Sequence, residues 1–414
     1  MPVNPEFNAH RVAMETPLPP AMLFYRHYSK TARKEDEVIC SAYLLLTGFL
    51  TVRSKIRFFV FLDRKTNGRP VMKSKNIGST QRLKITVFFG VLVLIFCVCL
   101  AWGRFNVPVL QAIKILVNHI FPANMAVTWT SQMENVIINI RLPRVIGASM
   151  VGSALALSGA TYQGLFKNPL VSPDLLGVSS GACVGAAAAI LLGLSALEIE
   201  GFALVSGLIA VLITTSIPKF FKNSSSLMLV LAGVIVSGFM NSLLGLAKYV
   251  ADPYNQLYAI VYWTLGSFTT TRMRDVLLVM PVIVIVMIVL LLMRWRVNLL
   301  SLGDQEAKSL GVNIKKTRGL AILCATILTA CSVCLCGTIG WVGLIIPHLS
   351  RLIIGHDNRY LLPLSTILGA IFMVVIDTLA RSLTGSEIPL SILTGILGAP
   401  LFVWLLARQK ARIG

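Results

Sequence analysis

The chain has 414 residues, 56% of them hydrophobic and only 13% charged, and its mean hydropathy is +0.78. A soluble domain carries about 25% charged residues, so this composition excludes one and points to repeated crossings of roughly 30 Å of hydrocarbon. The formal net charge of +20 fits Lys and Arg in loops beside anionic lipid better than contact with nucleic acid, which is not an expected partner.

Residues 1–71 differ from the rest. They hold 11 Lys or Arg, 6 Asp or Glu and one apolar run, VICSAYLLLTGFLTV, too short to cross a membrane unaided. The charged stretch 53–84 separates that run from the first span, so no cleavable signal is visible. We read 1–71 as an N-terminal extension, either disordered or a start-site artefact. A cytoplasmic tail lying on the membrane through the apolar run is the alternative. Met72 then opens MKSKNIGSTQRLK, an ordinary basic lead into a transmembrane domain over 72–414.

Uncharged runs follow at 85–103, 145–166, 175–197, 201–218, 223–247, 253–271, 276–293, 319–347, 360–376 and 388–407. The run 253–271 opens after Asp252-Pro253 and is rich in aromatics and hydroxyls, which suits an interfacial or re-entrant segment. The run 319–347 is too long for one helix, and GTIGWVG (337–343) divides it. The expectation is an all-α polytopic protein of about ten transmembrane helices. With the N-terminus inside, the cytoplasmic segments hold 18 Lys and Arg and the outer segments 8. That asymmetry puts both termini in the cytoplasm.

Small residues recur every fourth position at Gly152, Ala156 and Ala160, and again at Gly177, Gly181 and Gly185. This spacing lets helix backbones approach closely in lipid. Cys331, Cys334 and Cys336 have no neighbouring His or carboxylate in sequence and read as small apolar packing residues. One feature runs against the charge rule. Arg141 and Arg144 bracket Leu142-Pro143 at the outer start of 22 uncharged residues, where the helix end is already positive and each cation costs roughly 0.3–1 kcal/mol. Something must offset them.

Several stretches together carry a family resemblance: RLPR (141–144) leading into SGATYQGLFKNPLVSPDLLGVSSG (158–181), LGDQEAKSLGVN (302–313), GTIGWVGLIIPHLSR (337–351) and ILGAPLFVWLL (396–406). In order and spacing they resemble the permeases of ATP-driven type II importers for iron-siderophore, haem and cobalamin complexes, over residues 85–408. The resemblance implies the type II importer permease fold in a bacterial or archaeal plasma (inner) membrane. It implies a homodimer or a pair of similar permeases, two ATPase subunits below and a periplasmic or lipid-anchored substrate-binding protein above. ATP and Mg would be used by the ATPase, and no cofactor by this chain. Independently, the sequence contains no G-x-x-x-x-G-K-[ST] phosphate loop, so hydrolysis must belong to a partner and the chain is not expected to be an enzyme.

The residues matching the family's docking role are Arg141, Arg144 and Arg381, which would receive carboxylates from the binding protein. Snorkelling to outer lipid phosphates, or pairing of Arg381 with Asp377 one turn away, would explain them without docking. The basic loop 294–318 carries Asp304 and then Glu306, Ala307 and Lys308, which read as a short helix expected to stop near Gly311 through a left-handed turn. The resemblance assigns it to ATPase coupling, with small Ala307 fitting a cleft. Tyr162, Gln163 and Asn168, and the gate serines Ser224, Ser225 and Ser226, are candidates for the translocation pathway, ordinary loop and cap chemistry being the alternative. His348 reads as a structural helix-end residue and not a metal ligand.

Two other functional classes fit the sequence less well. Ion-coupled secondary transport needs ionisable groups within the membrane, and Asp377 and Glu387 sit only at span ends. An intramembrane enzyme lacks its H-E-x-x-H or G-x-S-x-G motif here. For cargo, an iron-siderophore is expected first, with haem, cobalamin or an oxyanion such as molybdate as alternatives.

Overall fold

A computed structural model describes residues 77–121, 127–221 and 226–410, and the regular structure among them is helical. The expectations for 1–71 and for Ser224 and Ser225 lie outside the described residues, as does the side chain of Ser226, which opens a helix. In chain order the helices are α1 (Ile77–Ala101), α2 (Val109–Ile120), α3 (Ser131–Phe166), α4 (Val178–Leu191), α5 (Ala196–Phe220), α6 (Ser226–Val250), α7 (Gln256–Leu265), α8 (Met273–Leu302), α9 (Asp304–Ser309), α10 (Ile314–Cys336), α11 (Val342–Ile354), α12 (Asn358–Ser382) and α13 (Leu390–Lys410).

Seven of these (α1, α3, α5, α6, α8, α10 and α12) are long and apolar enough to span a bilayer. The shorter α4 and α11, with 14 and 13 residues, and α13 bring the number to the ten expected. At 1.5 Å per residue α4 and α11 cover only about 20 Å, so non-helical turns must complete their depth. Such turns survive in a membrane only where protein or a cavity covers them. α7, with ten residues, is the short segment expected within 253–271.

The packing follows from small residues. α3 is buried along almost its whole length, surrounded by α8, α10, α11 and α12, whereas α1, α5, α6 and α8 bury mainly one face. A methyl group on Gly152 would lie 2.1 Å from the Gly369 carbonyl oxygen, and one on Gly369 would lie 2.2 Å from that of Gly152. The α3 and α12 backbones therefore touch. Gly185 is as tightly placed, 2.2 Å from the Phe202 carbonyl of α5 by the same construction. Close approach of this kind replaces the hydrophobic driving force that lipid removes.

The division of 319–347 falls where it was expected, between Cys336 and Val342. Gly337 adopts a left-handed φ of 74°, and so does Trp341 at 72°. For a bulky residue that conformation costs on the order of 1–3 kcal/mol and must be held by its surroundings. Here the turn is sewn to two other breaks. Ser267 N–H donates to the Cys336 carbonyl at 2.8 Å, Thr338 Oγ1 to Thr264 at 2.6 Å, and Ser391 Oγ to Thr338 at 2.6 Å. The starts of α11 and α13 and the end of α7 thus satisfy one another inside the bundle, with the Trp341 indole against Gly398 of α13.

Candidate functional site: an arginine network at one end and a basic loop at the other

Arg141, Arg144 and Arg381 meet at one end of the bundle, and all three are covered, at 3%, 5% and 8% exposure. Each guanidinium is engaged within the chain, and that engagement offsets the unfavourable helix start. Arg144 Nη1 donates to Glu387 Oε1 and its Nη2 to Asp377 Oδ1, both at 2.7 Å. Arg381 Nε lies 3.6 Å from the other Asp377 oxygen, and its Nη2 donates to the Cys99 carbonyl. Among the described residues Arg141 meets no carboxylate. It donates to the carbonyls of Leu100 and Ala101 at 2.9 and 2.6 Å, and to that of Phe105, capping the negative C-terminal end of α1.

Local backbone aims these groups. Pro143 has no N–H for the Asn139 carbonyl, and over Val136–Arg141 the helix widens to the π register, with Leu142 N–H donating to Ile137. π turns of this type re-aim side chains and recur at functional positions. Gly103 lies against them, where a methyl would stand 2.6 Å from Arg141 Nη2 and 3.0 Å from Arg381 Nη1 and would displace the guanidinium ends.

Sequence reasoning missed two members of the network. Exposed Arg104 donates through Nε to the Arg381 carbonyl at 3.0 Å, and Glu387 accepts from Thr269 Oγ1 at 2.7 Å. The available signal was span parity, which puts the starts of α1–α3 loops and the ends of α12 on one side. Among the described residues the assembly holds four arginines and two carboxylates, an excess of positive charge. Burial raises the Glu387 carboxyl, but the Arg144 hydrogen bond and charge outweigh it and hold it below the usual carboxylate range.

At the opposite end α9 forms as expected. Gly311 takes φ 78°, its N–H donates to Lys308 at 3.0 Å, and Val312 N–H returns to Ala307 at 3.0 Å, a left-handed C-terminal turn. Asp304 is tied to α10 by Arg318 at 2.6 Å. Glu306 is exposed, but Ala307 is fully buried against this chain's own core. Ala307 thus faces inward, toward this chain's own core. The outward surface is made by Gln305, Glu306 and Lys308, flanked by Leu302 and Leu310 at 60% and 59% exposure.

The pathway candidates each have partners within this chain. Tyr162 is buried, sharing a hydrogen bond with Thr326 at 2.8 Å between α3 and α10. Gln163 is buried too, and its Nε2 donates to the Gly343 carbonyl at 3.3 Å. Pro347 cannot donate to that carbonyl four residues back, so Gln163 satisfies a group that α11 leaves open. Its Oε1 accepts from Arg351. Both residues make interhelical contacts within this chain. Exposed Asn168 accepts from Leu170 N–H at 2.9 Å in a local turn, which is loop chemistry. His348 is 4% exposed and packs edge-on to Phe402.

Residues 91–408 match the model of the FecCD transport family. The chain is 39% identical to the molybdate import system permease MolB of Haemophilus influenzae over 327 residues, 78% of this chain and 96% of that protein. It is 38% identical to the hemin transport system permease HmuU of Yersinia pestis over 284 residues, 67% of this chain and 85% of that one. A solved structure described as an inward-facing conformation of a metal-chelate type ABC transporter superposes with a TM-score of 0.71 at 37% identity, covering 79% of this chain and 99% of that chain. This chain belongs to the FecCD transport family of ABC importer permeases.

Proposed function

We propose that the chain is the membrane subunit through which an ATP-binding-cassette importer moves an iron-siderophore complex, with haem or cobalamin as related cargo. The observation that carries this reading is the bundle itself, an all-helical permease fold with a basic α9 loop at one end and an excess of arginine at the other. The α9 end faces the cytoplasm of a bacterial or archaeal cell and seats a separate ATPase, which supplies hydrolysis with Mg while this chain catalyses nothing. Exposed Leu302 and Leu310 supply apolar contact there, and Asp304, Glu306 and the Gly311 turn hold the loop in shape. The exposed apolar residues of α6 and α13 suit a second permease copy.

The opposite end receives the binding protein. Docking at Arg141, Arg144 and Arg381 is supported in altered form. Their excess charge attracts an acidic partner and sets association rate and orientation, and an incoming carboxylate competes for Arg144 where Glu387 is 24% exposed. A molybdate cargo is the second reading, favoured by the similarity to MolB. Uptake of labelled iron chelates, haem, cobalamin and molybdate, in cells with and without this gene, tests both. Gene-dependent uptake of an iron chelate is expected, uptake of molybdate alone would replace the first cargo with the second, and no gene-dependent uptake would overturn the reading.

A further inference from the structure

The corner where α8 ends and α12 begins has an arrangement that transport does not require. Along α8 the side chains of Ile285, Ile288, Leu292 and Trp295 fall on one helix face at i, i+3, i+7 and i+10, and are 61%, 50%, 78% and 50% exposed. An apolar stripe of this kind is lipid-facing in a membrane protein. It terminates at Trp295, and there a cation is waiting. The Arg359 guanidinium lies 5.2 Å from the centroid of the Trp295 ring and 5.7 Å from that of Tyr360.

Arg359 is preorganised. Its Nε donates to both oxygens of Asp357, at 3.0 and 2.8 Å, and Nη2 donates to Oδ2. Asp357 is itself fixed as the N-cap of α12, accepting Arg359 N–H at 3.0 Å. This leaves Nη1 without a partner among the described residues, on a side chain 46% exposed. The start of α1 closes the corner. A methyl on Gly78 would lie 3.1 Å from Tyr360 Oη, and Lys84 Nζ caps the Ile353 carbonyl at 2.8 Å. The segments 78–84, 294–296 and 355–360 together carry Arg82, Lys84, Arg294, Arg296 and Arg359 against the single carboxylate Asp357.

We propose that this corner is a binding site for one anionic phospholipid, its phosphate on Arg359 Nη1 and its acyl chain along the Ile285–Trp295 stripe. Charge complementarity selects the headgroup, since each Lys or Arg near an anionic membrane surface is worth about fivefold in affinity. The two aromatic rings fix the depth, as they do at membrane interfaces generally. The continuous apolar stripe distinguishes a lipid from free phosphate, which would have no use for it.

The test is native mass spectrometry of the full-length, delipidated protein titrated with phosphatidylglycerol or phosphatidylcholine of identical chains. Wild type is expected to retain one phosphatidylglycerol several-fold more strongly than phosphatidylcholine. Arg359→Gln should lose about fivefold in that preference, Lys315→Gln, another exposed cation at the same end, should lose none, and excess inorganic phosphate should not displace the lipid. Arg359→Lys, which keeps the charge without the fork, should fall between and stands in if Arg359→Gln does not fold. Equal retention of the two lipids by wild type, equal losses in the Arg359 and Lys315 variants, or displacement by phosphate would overturn the proposal.

Discussion

Arg144→Met removes the one side chain that bridges Asp377 and Glu387. Asp377 is fully buried, and the substitution strips its partner at 2.7 Å while leaving Arg381 Nε at 3.6 Å. Breaking a buried pair from one side costs about 3–5 kcal/mol, because an uncompensated charge stays behind. The surviving Arg381 contact puts the expectation at the lower end, about 3 kcal/mol. At roughly 2 °C per kcal/mol for a chain of this length, the unfolding midpoint in detergent should fall by about 6 °C. Adding Asp377→Asn to the same protein removes the stranded charge and should recover about half of that loss. A free surface arginine would behave otherwise, its replacement staying within about 0.5 kcal/mol. A midpoint unchanged by Arg144→Met, measured by intrinsic fluorescence or size-exclusion survival after heating, would refute the buried network.

Gly369→Ala should weaken the α3–α12 contact by about 1–3 kcal/mol or more, because the new methyl meets the Gly152 carbonyl at 2.2 Å and Ala156 at 2.5 Å, whereas Gly245→Ala meets nothing within 4 Å; thermal midpoints of the two variants compare them directly. Tyr162→Phe should cost about 0.5–1.5 kcal/mol for the lost bond to Thr326 and leave the apparent KM for cargo unchanged, and a shifted KM would return Tyr162 to the pathway. The acid limb of stability should depend on Glu387. Its folded-state carboxyl is held below the ordinary value of 4.5, so its contribution is present above that value and is lost as pH falls through the lower, folded one; Glu387→Gln should flatten the midpoint-against-pH curve below pH 4.5. Gly311→Pro removes both the left-handed φ and the N–H that donates to Lys308, and should uncouple ATP hydrolysis from uptake while the bundle stays folded.

Hydropathy runs and glycine signals were enough to read the ten-helix plan, the break after Cys336, the short segment before α8 and the Gly311 turn. Each of these is set by local composition and by the depth of a bilayer, so a sequence window contains the cause. The Gly152 and Gly185 approaches were legible for a similar reason, although their partners Gly369 and Phe202 were not. The arginine network was half legible. RLPR marked the helix start as anomalous, but the partners of Arg144 lie 233 and 243 residues away, and no local pattern announces a contact so distant. The inward placement of Ala307 and Tyr162 was illegible for a different reason. Residue type identifies a small or a polar side chain, while only the packed bundle decides whether it turns toward its own core or away. Gln163 shows the missing step most clearly, because its partner is a carbonyl released by a proline on another helix.

The most direct measurement is cargo uptake into proteoliposomes containing this permease and its binding protein, with and without the ATPase from the same locus. Uptake is expected only when the ATPase and ATP are both present, and a proton or sodium gradient should not replace them. Gradient-driven uptake without the ATPase would contradict the importer account and make the chain a secondary transporter.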